Sequence, residues 1–485
     1  MGRRFTSLFH LPLLFILHLM SCLAILIRRI GRHCRLRSGC VGFSAVGGCS
    51  DVPERTVRAA PNRCSIASPA AWILAALMVS PSVLMVGCRE SAPEFGHDRV
   101  RAMSLEISRD LPTEAAMQDV SVVVDKLFGT PQSPRWPRRW MRSEAEQNLV
   151  SLQRLEIAAG GVRSDQANVH SGLYQEHCVI CHGIAGSGTG AASRLQVPYP
   201  RDFRAGVFKW KSTTRSEKPT RDDLERALVS GIPGTPMPSF RTLPSSDRDA
   251  LVDYVIYLSV RGEVERRLLA HAVDMLDYDE SAPADELRIQ LRDEEALAQQ
   301  SGADSTASMQ LDELSDGQRA IADVIHDVVG RWVSAESSPV PPQPSDEGEA
   351  LAASVARGRE LFNGPVVACA GCHGQDGVGG LPSLDYDDWT KEFTTRIGIT
   401  PEDTEAVKPF RKAGALPPRK IEPRVLAEGL LRGGDDPETL YRRIHHGIAG
   451  TPMPGIEIVV PSEEGTGVSP RDVWDLVNFL EAMKN

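Results

Sequence analysis

Two strings of five residues, Cys178-Val-Ile-Cys181-His182 and Cys369-Ala-Gly-Cys372-His373, share the pattern CxxCH and stand in matching surroundings. The first opens a segment that begins "ANVHSGLYQEHCVICHGIAGSGTG" (167–190), passes a helix-like "RDDLERALVS" and reaches "GIPGTPMPSF". It closes with "SDRDALVDYVIYLSV" (246–260). The second begins "ASVARGRELFNGPVVACAGCHGQDGVGG" (353–380), crosses a longer insert to "PETLYRRIHH", then "GIAGTPMPGI", and closes with "SPRDVWDLVNFLEAM" (469–483). Leu224 matches Leu440, and Asp253, Tyr257 and Leu258 match Asp475, Phe479 and Leu480. Two copies at this spacing are a repeat of whole domains, since solenoid repeats recur every 20–50 residues or so. Apolar positions in both closing segments recur at helical spacing, with Ser246-Asp247 and Ser469-Pro470 as helix starts.

CxxCH is the attachment signature of haem c. Residues three apart share a helix face, so both thiols reach the two vinyl groups on one edge of a single porphyrin. The next residue then aims its imidazole at the iron. A zinc half-site would need a second Cys or His pair at suitable spacing, and each copy would have to recruit it from scattered histidines. A thioredoxin-like redox pair belongs in a βαβ setting, which the pattern lacks. The expected cofactors are two covalently bound haem c groups, held by Cys178, Cys181 and His182 and by Cys369, Cys372 and His373.

An electron-transfer haem takes a second axial ligand from the opposite side. Met237 is the sole methionine between Met141 and Met275, and Met453 occupies the matching loop of the second copy. Flanking prolines fix φ and remove amide donors, which suits a loop that must hold a sulfur in place. The expected iron ligands are His182 with Met237 and His373 with Met453. His445 and His446 are rivals to Met453, but Val229-Ser230 stands there in the first copy. His177 is too constrained by the attachment turn to reach the far face. Arg201, Arg204, Lys209, Trp210 and Lys211 in the first copy, and Arg432, Arg442 and Arg443 in the second, are candidate partners for haem propionates.

Six of the ten cysteines fall in the first 88 residues. Residues 5–27 follow Arg3-Arg4 and read as a signal peptide or membrane helix. A second apolar run, "SIASPAAWILAALMVSPSVLMVGC", ends at Cys88 in a form that resembles a bacterial lipobox, with Met85 where leucine is usual. We expect export to begin with this second run, residues 1–87 being a signal segment or lying ahead of the true start. The anchor is then a lipid at Cys88 or an N-terminal helix, and the place is the periplasmic side of a bacterial membrane.

Ten of the 54 basic residues but two of the 64 acidic ones lie in residues 1–87, leaving 44 basic against 62 acidic beyond. Most of that excess sits between 263 and 350, with 21 acids and six bases. The balance argues against nucleic-acid binding. It divides the chain into an N-terminal arm with a helix ending near Leu127 (88–165), a first domain (166–262), an acidic helical linker with the Pro-rich tether "SSPVPPQPSDEGE" (263–350) and a second domain (351–485).

Together these residues resemble the class I cytochrome c family, and "CHGIAGSGTG" with "PYPRDF" and "CHGQDGVGG" with "RRIHHGIAGTPMP" are similar to bacterial di-haem c-type cytochromes. The resemblance covers 166–262 and 351–485. It implies an all-α fold of two helical domains, each with its first and last helices crossing over the haem edge. Gly172 and Tyr174 with Tyr257, and Gly358 and Phe362 with Phe479, stand at that crossing. The insert at 385–435 departs from the family pattern and is expected to cover a haem edge or dock a partner. Methionine–histidine ligation gives a six-coordinate iron that exchanges single electrons. The expected function is a membrane-associated electron carrier or electron-entry subunit of a respiratory complex, working with redox protein partners. The rival is a haem enzyme, such as a di-haem peroxidase or the haem subunit of an oxidoreductase complex.

Overall fold

Helices account for nearly all regular structure in the computed structural model, which describes residues 93–167, 169–279, 281–291, 314–382, 385–459 and 467–484. The two apolar N-terminal runs, Cys88 and residues 292–300 of the expected linker helix lie outside these. Among the described residues no helix is long and apolar enough to cross a membrane. The strands are two short antiparallel ladders, Gly129–Thr130 with Ser133–Pro134 and Arg163–Ser164 with His170–Ser171. The chain is therefore all-α, as its periodicity and family resemblance imply.

In the arm, α1 (Arg99–Arg109) is capped by the Asp98 side chain, and α2 (Glu114–Phe128) ends at Phe128, one residue beyond the expected Leu127. A short α3 (Leu152–Ala158) follows, then α4 (Leu173–His177) and α5 (Val179–His182), which carry the first CxxCH. α6 (Arg221–Ser230) starts with a reciprocal Thr220–Asp223 capping box and α7 runs from Ser245 to Met275.

α7 differs from expectation at both ends. Its N-cap is Pro244, whose carbonyl accepts from Asp247 and Arg248, while the Ser246 hydroxyl turns to Asp247. At the other end the helix continues unbroken past Gly262. A Cβ at Gly262 would run into Arg204, so this glycine admits the Phe203–Ala205 turn against the helix and does not stop it.

α7 is buried along almost its whole length because elements from both sides of the first copy wrap it. α2 and α3 cover one part and α8 (Asp316–Val333) covers another. In α8 the side chains of Ile321, Ile325, Val328, Val329 and Trp332 join the first core. Each such burial contributes about 1.5–3 kcal/mol, enough to fix a helix whose outward face carries Asp316, Asp323 and Asp327. This is the charged amphipathic helix that the spacing in "GQRAIADVIHDVVGRWV" predicts, and its apolar face packs on the first core. The tether is also held at its start, where Ser338 N donates to the Ser212 carbonyl at 2.9 Å.

The second copy begins with α9 (Gly348–Asn363) and α10 (Ala370–His373), the latter bearing the second CxxCH. In the insert, α11 (Thr404–Lys412) builds a separate small core from Val407 and Phe410 with Phe393 and Ala415. Val100 of α1 belongs to the same core, so the insert reaches back to the arm. α12 (Pro437–His446) and α13 (Pro470–Ala482) complete the copy, and Ser469 caps α13 as expected.

α13 crosses α9 as the family resemblance implies. A Cβ on Gly358 would overlap the Asp475 carbonyl, and the Phe362 and Phe479 rings meet edge to face at 5.4 Å. The first copy differs. Gly172 has φ +85° and lies against Gly161 and Val162, while Tyr174 packs on Tyr254 at 4.9 Å. α4 is only five residues long, too short for a long crossing, and α3 takes over contact with α7. The matched aspartates behave alike. Asp253 accepts from Ser151 N at 2.9 Å and Asp475 from the Ser354 hydroxyl at 2.5 Å, so each ties a closing helix to the element before it.

A network of buried charge joins arm, first copy and insert. Asp98 faces Arg266 at 2.7 Å and Arg204 at 3.5 Å, Arg204 also pairs with Asp202, and Arg266 reaches Glu392 of the insert. By its contacts Glu90–Asn485 is one unit.

Candidate functional site

The two CxxCH strings fold alike. In each, the imidazole residue ends a four-residue helix and a glycine of positive φ follows, Gly183 at +73° and Gly374 at +75°. His182 Nδ1 lies 3.1 Å from the Arg201 carbonyl and His373 Nδ1 lies 2.8 Å from the Arg424 carbonyl. A carbonyl only accepts, so each Nδ1 carries the proton and each Nε2 keeps its lone pair. Burial favours the same neutral form, pushing His182 down to about 4 and His373 below the usual histidine range. A carbonyl on the far ring nitrogen orients a metal-binding imidazole in this way.

The four thiols are free. Burial lifts Cys178 to about 12 and Cys369 to about 11, against the low-pKa thiolate that a redox pair needs. Among the described residues no group of three or more His, Cys, Asp or Glu side chains is placed to hold a metal ion.

The methionine loops are built by the same bonds. Gly231 and Gly447 end α6 and α12 with φ of +63° and +69°, where a side chain would strike the returning loop. Ile232 N donates to the Met237 carbonyl and Ile448 N to the Met453 carbonyl, both at 3.2 Å. The Thr235 hydroxyl donates to Ile232 at 2.8 Å and that of Thr451 to Ile448 at 2.9 Å. Each threonine oxygen also accepts from the methionine amide at 3.2 Å. Phe240 N returns to the Leu228 carbonyl at 2.7 Å, as Ile456 N returns to Ile444 at 3.2 Å. One threonine thus fixes the methionine backbone in both loops, and the prolines leave no competing amide donor.

In the first copy the structure brings Cys178, Cys181, His182 and Met237 to one cavity of ≈ 200 Å³. Its lining is largely apolar and includes Phe203, Phe208, Leu228 and Phe240. Three cations, Arg201, Lys209 and Arg432, join it without any carboxylate in the wall. Burial, with Arg201 and Arg432 nearby, pulls Lys209 down to about 7. A flat apolar group carrying its own carboxylates fits this wall. Haem is such a group, and the donors present suit it. In the second copy Cys369 and Ile456, at the exit of the methionine loop, pack on the same core.

Several sequence candidates belong elsewhere. Arg204 is committed to Asp202 and Asp98, and Lys211 donates to the carbonyls of Thr214, Arg215 and Glu217. Arg442 Nε donates to Ser338 O at 2.8 Å, and Arg443 lies over the Trp210 ring at 5.2 Å. Arg432, assigned from sequence to the second copy, lines the first cavity. His446 Nε2 meets the Ser338 hydroxyl at 2.7 Å and His445 Nδ1 meets the Ile456 carbonyl at 3.0 Å. His177 sits at the cavity with its ring 5.8 Å from that of Phe240.

The insert at 385–435, expected to cover a haem edge or dock a partner, is seated on the first copy. Arg419 lies 3.6 Å above the Tyr199 ring and donates to the Gln196 carbonyl, while Tyr199 Oη donates to Pro417 O at 3.1 Å. Tyr199 and Gln196 both line the first cavity, so the second copy's insert covers the rim of the first. No short motif announces such a contact.

Two families match the chain. Residues 171–259 match "Cytochrome c" and residues 353–423 match "Cytochrome C oxidase, cbb3-type, subunit III". Together they cover about a third of the sequence, one on each CxxCH, and support a c-type cytochrome with covalently bound haem c. No curated protein matches. A solved chain from a reducing HAO-like protein complex of Kuenenia stuttgartiensis is 20% identical, over 65% of this chain and 94% of that one, at a TM-score of 0.37. That likeness is too slight to bear on fold or function.

Proposed function

We propose that the chain is a di-haem c-type cytochrome that moves single electrons in an exported, membrane-associated respiratory chain. One observation carries this reading: each CxxCH has its histidine turned by a backbone carbonyl, and each copy repeats the methionine loop bond for bond. Cys178 and Cys181, and Cys369 and Cys372, form the thioether bridges. His182 and His373 would supply Nε2 to the iron, and Met237 and Met453 would supply its second ligand. A haem held in this way supplies reversible exchange of one electron between Fe(II) and Fe(III), at a potential raised by the thioether. The chain's own work is to exclude water with Phe203, Phe208 and Phe240, to fix each imidazole and to neutralise carboxylates with Arg201, Lys209 and Arg432.

If His182 with Met237 and His373 with Met453 hold the irons, the protein itself supplies both ligands to each, which favours a carrier over a peroxidase. A second reading, that the chain is the electron-entry subunit of a larger oxidoreductase complex, draws support from the oxidase-subunit description matched at 353–423. Its partners are redox proteins, and its tether is a lipid at Cys88 or an N-terminal helix. Purification from membranes, followed by haem staining and mass measurement of co-purifying chains, separates the two. A stable stoichiometric partner favours the subunit, and a free haem-stained chain favours the carrier.

A further inference from the structure

Each methionine loop is touched by an arginine of the other copy. Arg215, in the loop before α6, donates Nη1 to the Met453 carbonyl at 2.6 Å and Nη2 to the Thr451 carbonyl at 2.7 Å. Both acceptors lie in the loop that presents the Met453 sulfur, and Thr451 is the residue whose hydroxyl fixes the Met453 amide. In the opposite sense Arg432, in the insert before α12, donates Nη2 to the Gly234 carbonyl at 3.3 Å. Gly234 stands in the first loop with φ +71°, and a Cβ there would strike Leu430 of the insert. Gly450, its counterpart, lies beside Val207 and Arg201 of the first copy. The contact is reciprocal but uneven, since a two-pronged fork grips the second loop and a single longer bond the first.

We propose that Arg215 and Arg432 are positioning residues exchanged between the copies, each holding the backbone of the other's methionine loop. The presentation of sulfur at one site then depends on the presence of the other copy. This rests on the reading of Met237 and Met453 as ligands. The planar fork of arginine matches two adjacent carbonyls, and a lysine at the same place cannot. Loss of Arg215 therefore loosens the Met453 loop while the copy's core, built from α9, α12 and α13, stays in place.

The test uses the full haem-loaded chain. Imidazole competes with a methionine sulfur for iron, so its affinity reads how readily each loop opens. The two phases of an optical imidazole titration are assigned with Met237→Ala and Met453→Ala. In Arg215→Ala, imidazole is expected to bind the Met453 phase about tenfold more tightly, with the Met237 phase unchanged. Arg215→Lys is expected to follow the alanine variant, and Arg432→Ala to show a smaller change in the Met237 phase alone. Unchanged phases in Arg215→Ala, or equal shifts in both, overturn the proposal.

Limited proteolysis of the same proteins reads the loop without reference to iron. Faster cleavage within 447–459 in Arg215→Ala, with other sites unaltered, supports the proposal, and unchanged cleavage overturns it. If Met453→Ala leaves both spectrum and titration as they were, the ligand assignment is what fails, and the cleavage result still decides the role of Arg215.

Discussion

Gly358 lies so close beneath the Asp475 carbonyl that only a glycine fits between α9 and α13. The Ser354 hydroxyl, one turn earlier, donates to the Asp475 side chain, so one residue of α13 is held through both carbonyl contact and carboxylate. This crossing supports α10 and therefore the second CxxCH.

Substitution of Gly358 by alanine is expected to lower stability by about 1–3 kcal/mol through overpacking. Thermal unfolding followed by circular dichroism checks it. Gly380→Ala, in a loop where a Cβ meets open space but φ is +84°, tests whether backbone strain alone gives as much. The crossing account expects the larger loss at Gly358.

Removal of both thiols from one CxxCH is expected to remove one covalent haem and leave the other. Cys178→Ser with Cys181→Ser, and Cys369→Ser with Cys372→Ser, each give a chain heavier than its apoprotein by one haem after denaturation. Mass spectrometry reads the result. The first pair should also destabilise its copy more, because its cavity is walled by residues of the first core.

Exchange of Met237 or Met453 for histidine is expected to lower the potential of that site alone, by a shift on the order of 0.1 V within the roughly 0.8 V that axial ligands span. Potentiometry of the two variants assigns each wave to its copy. Equal shifts of both waves in either variant contradict separate ligation.

His97 supplies a pH dependence away from both sites. Burial disfavours its charge, but the hydrogen bond to Asp125 and the Glu265 carboxylate 3.3 Å from Nδ1 outweigh that and lift it to about 9. The Asp125 carboxylate also takes Arg261 at 3.0 Å. A folded value above the unfolded value of about 6.5 means that the stabilisation is complete below that pH. It is lost as pH rises from there through about 9. Since His97 is partly exposed, the loss is on the order of 1 kcal/mol. Denaturant melts of the native chain and His97→Gln across that range should converge at the alkaline end.

Local chemistry was legible in the sequence, and contact between the copies was not. CxxCH, the Gly-Ile-x-Gly-Thr-Pro-Met-Pro loop and the Ser469 cap are short-range signals, and each fixes geometry within a few residues; the matched Asp253 and Asp475 were visible as a repeat, but not their bonds to Ser151 and Ser354. Arg215 meets Met453 across 238 positions, and nothing in its own neighbourhood points there. The first domain was expected to end at 262, yet α7 runs on past Gly262, which serves a close approach by Arg204 that only tertiary packing reveals. α8 was legible as an amphipathic helix of the linker, but its packing through Ile325 and Trp332 onto the first core was not. Arg204 passed as a propionate partner since its charge was visible and its ion pairs with Asp98 and Asp202 were not.

The central claim is that the chain holds two haems, each bound through its own cysteines and ligated by its own histidine and methionine. A potentiometric titration followed by optical spectra, on protein whose covalent haem has been counted, tests it most directly. The account predicts two haems per chain, two one-electron waves and a methionine-ligand band in the oxidised spectrum. A single wave, fewer than two haems, or a high-spin ferric spectrum without that band would contradict it.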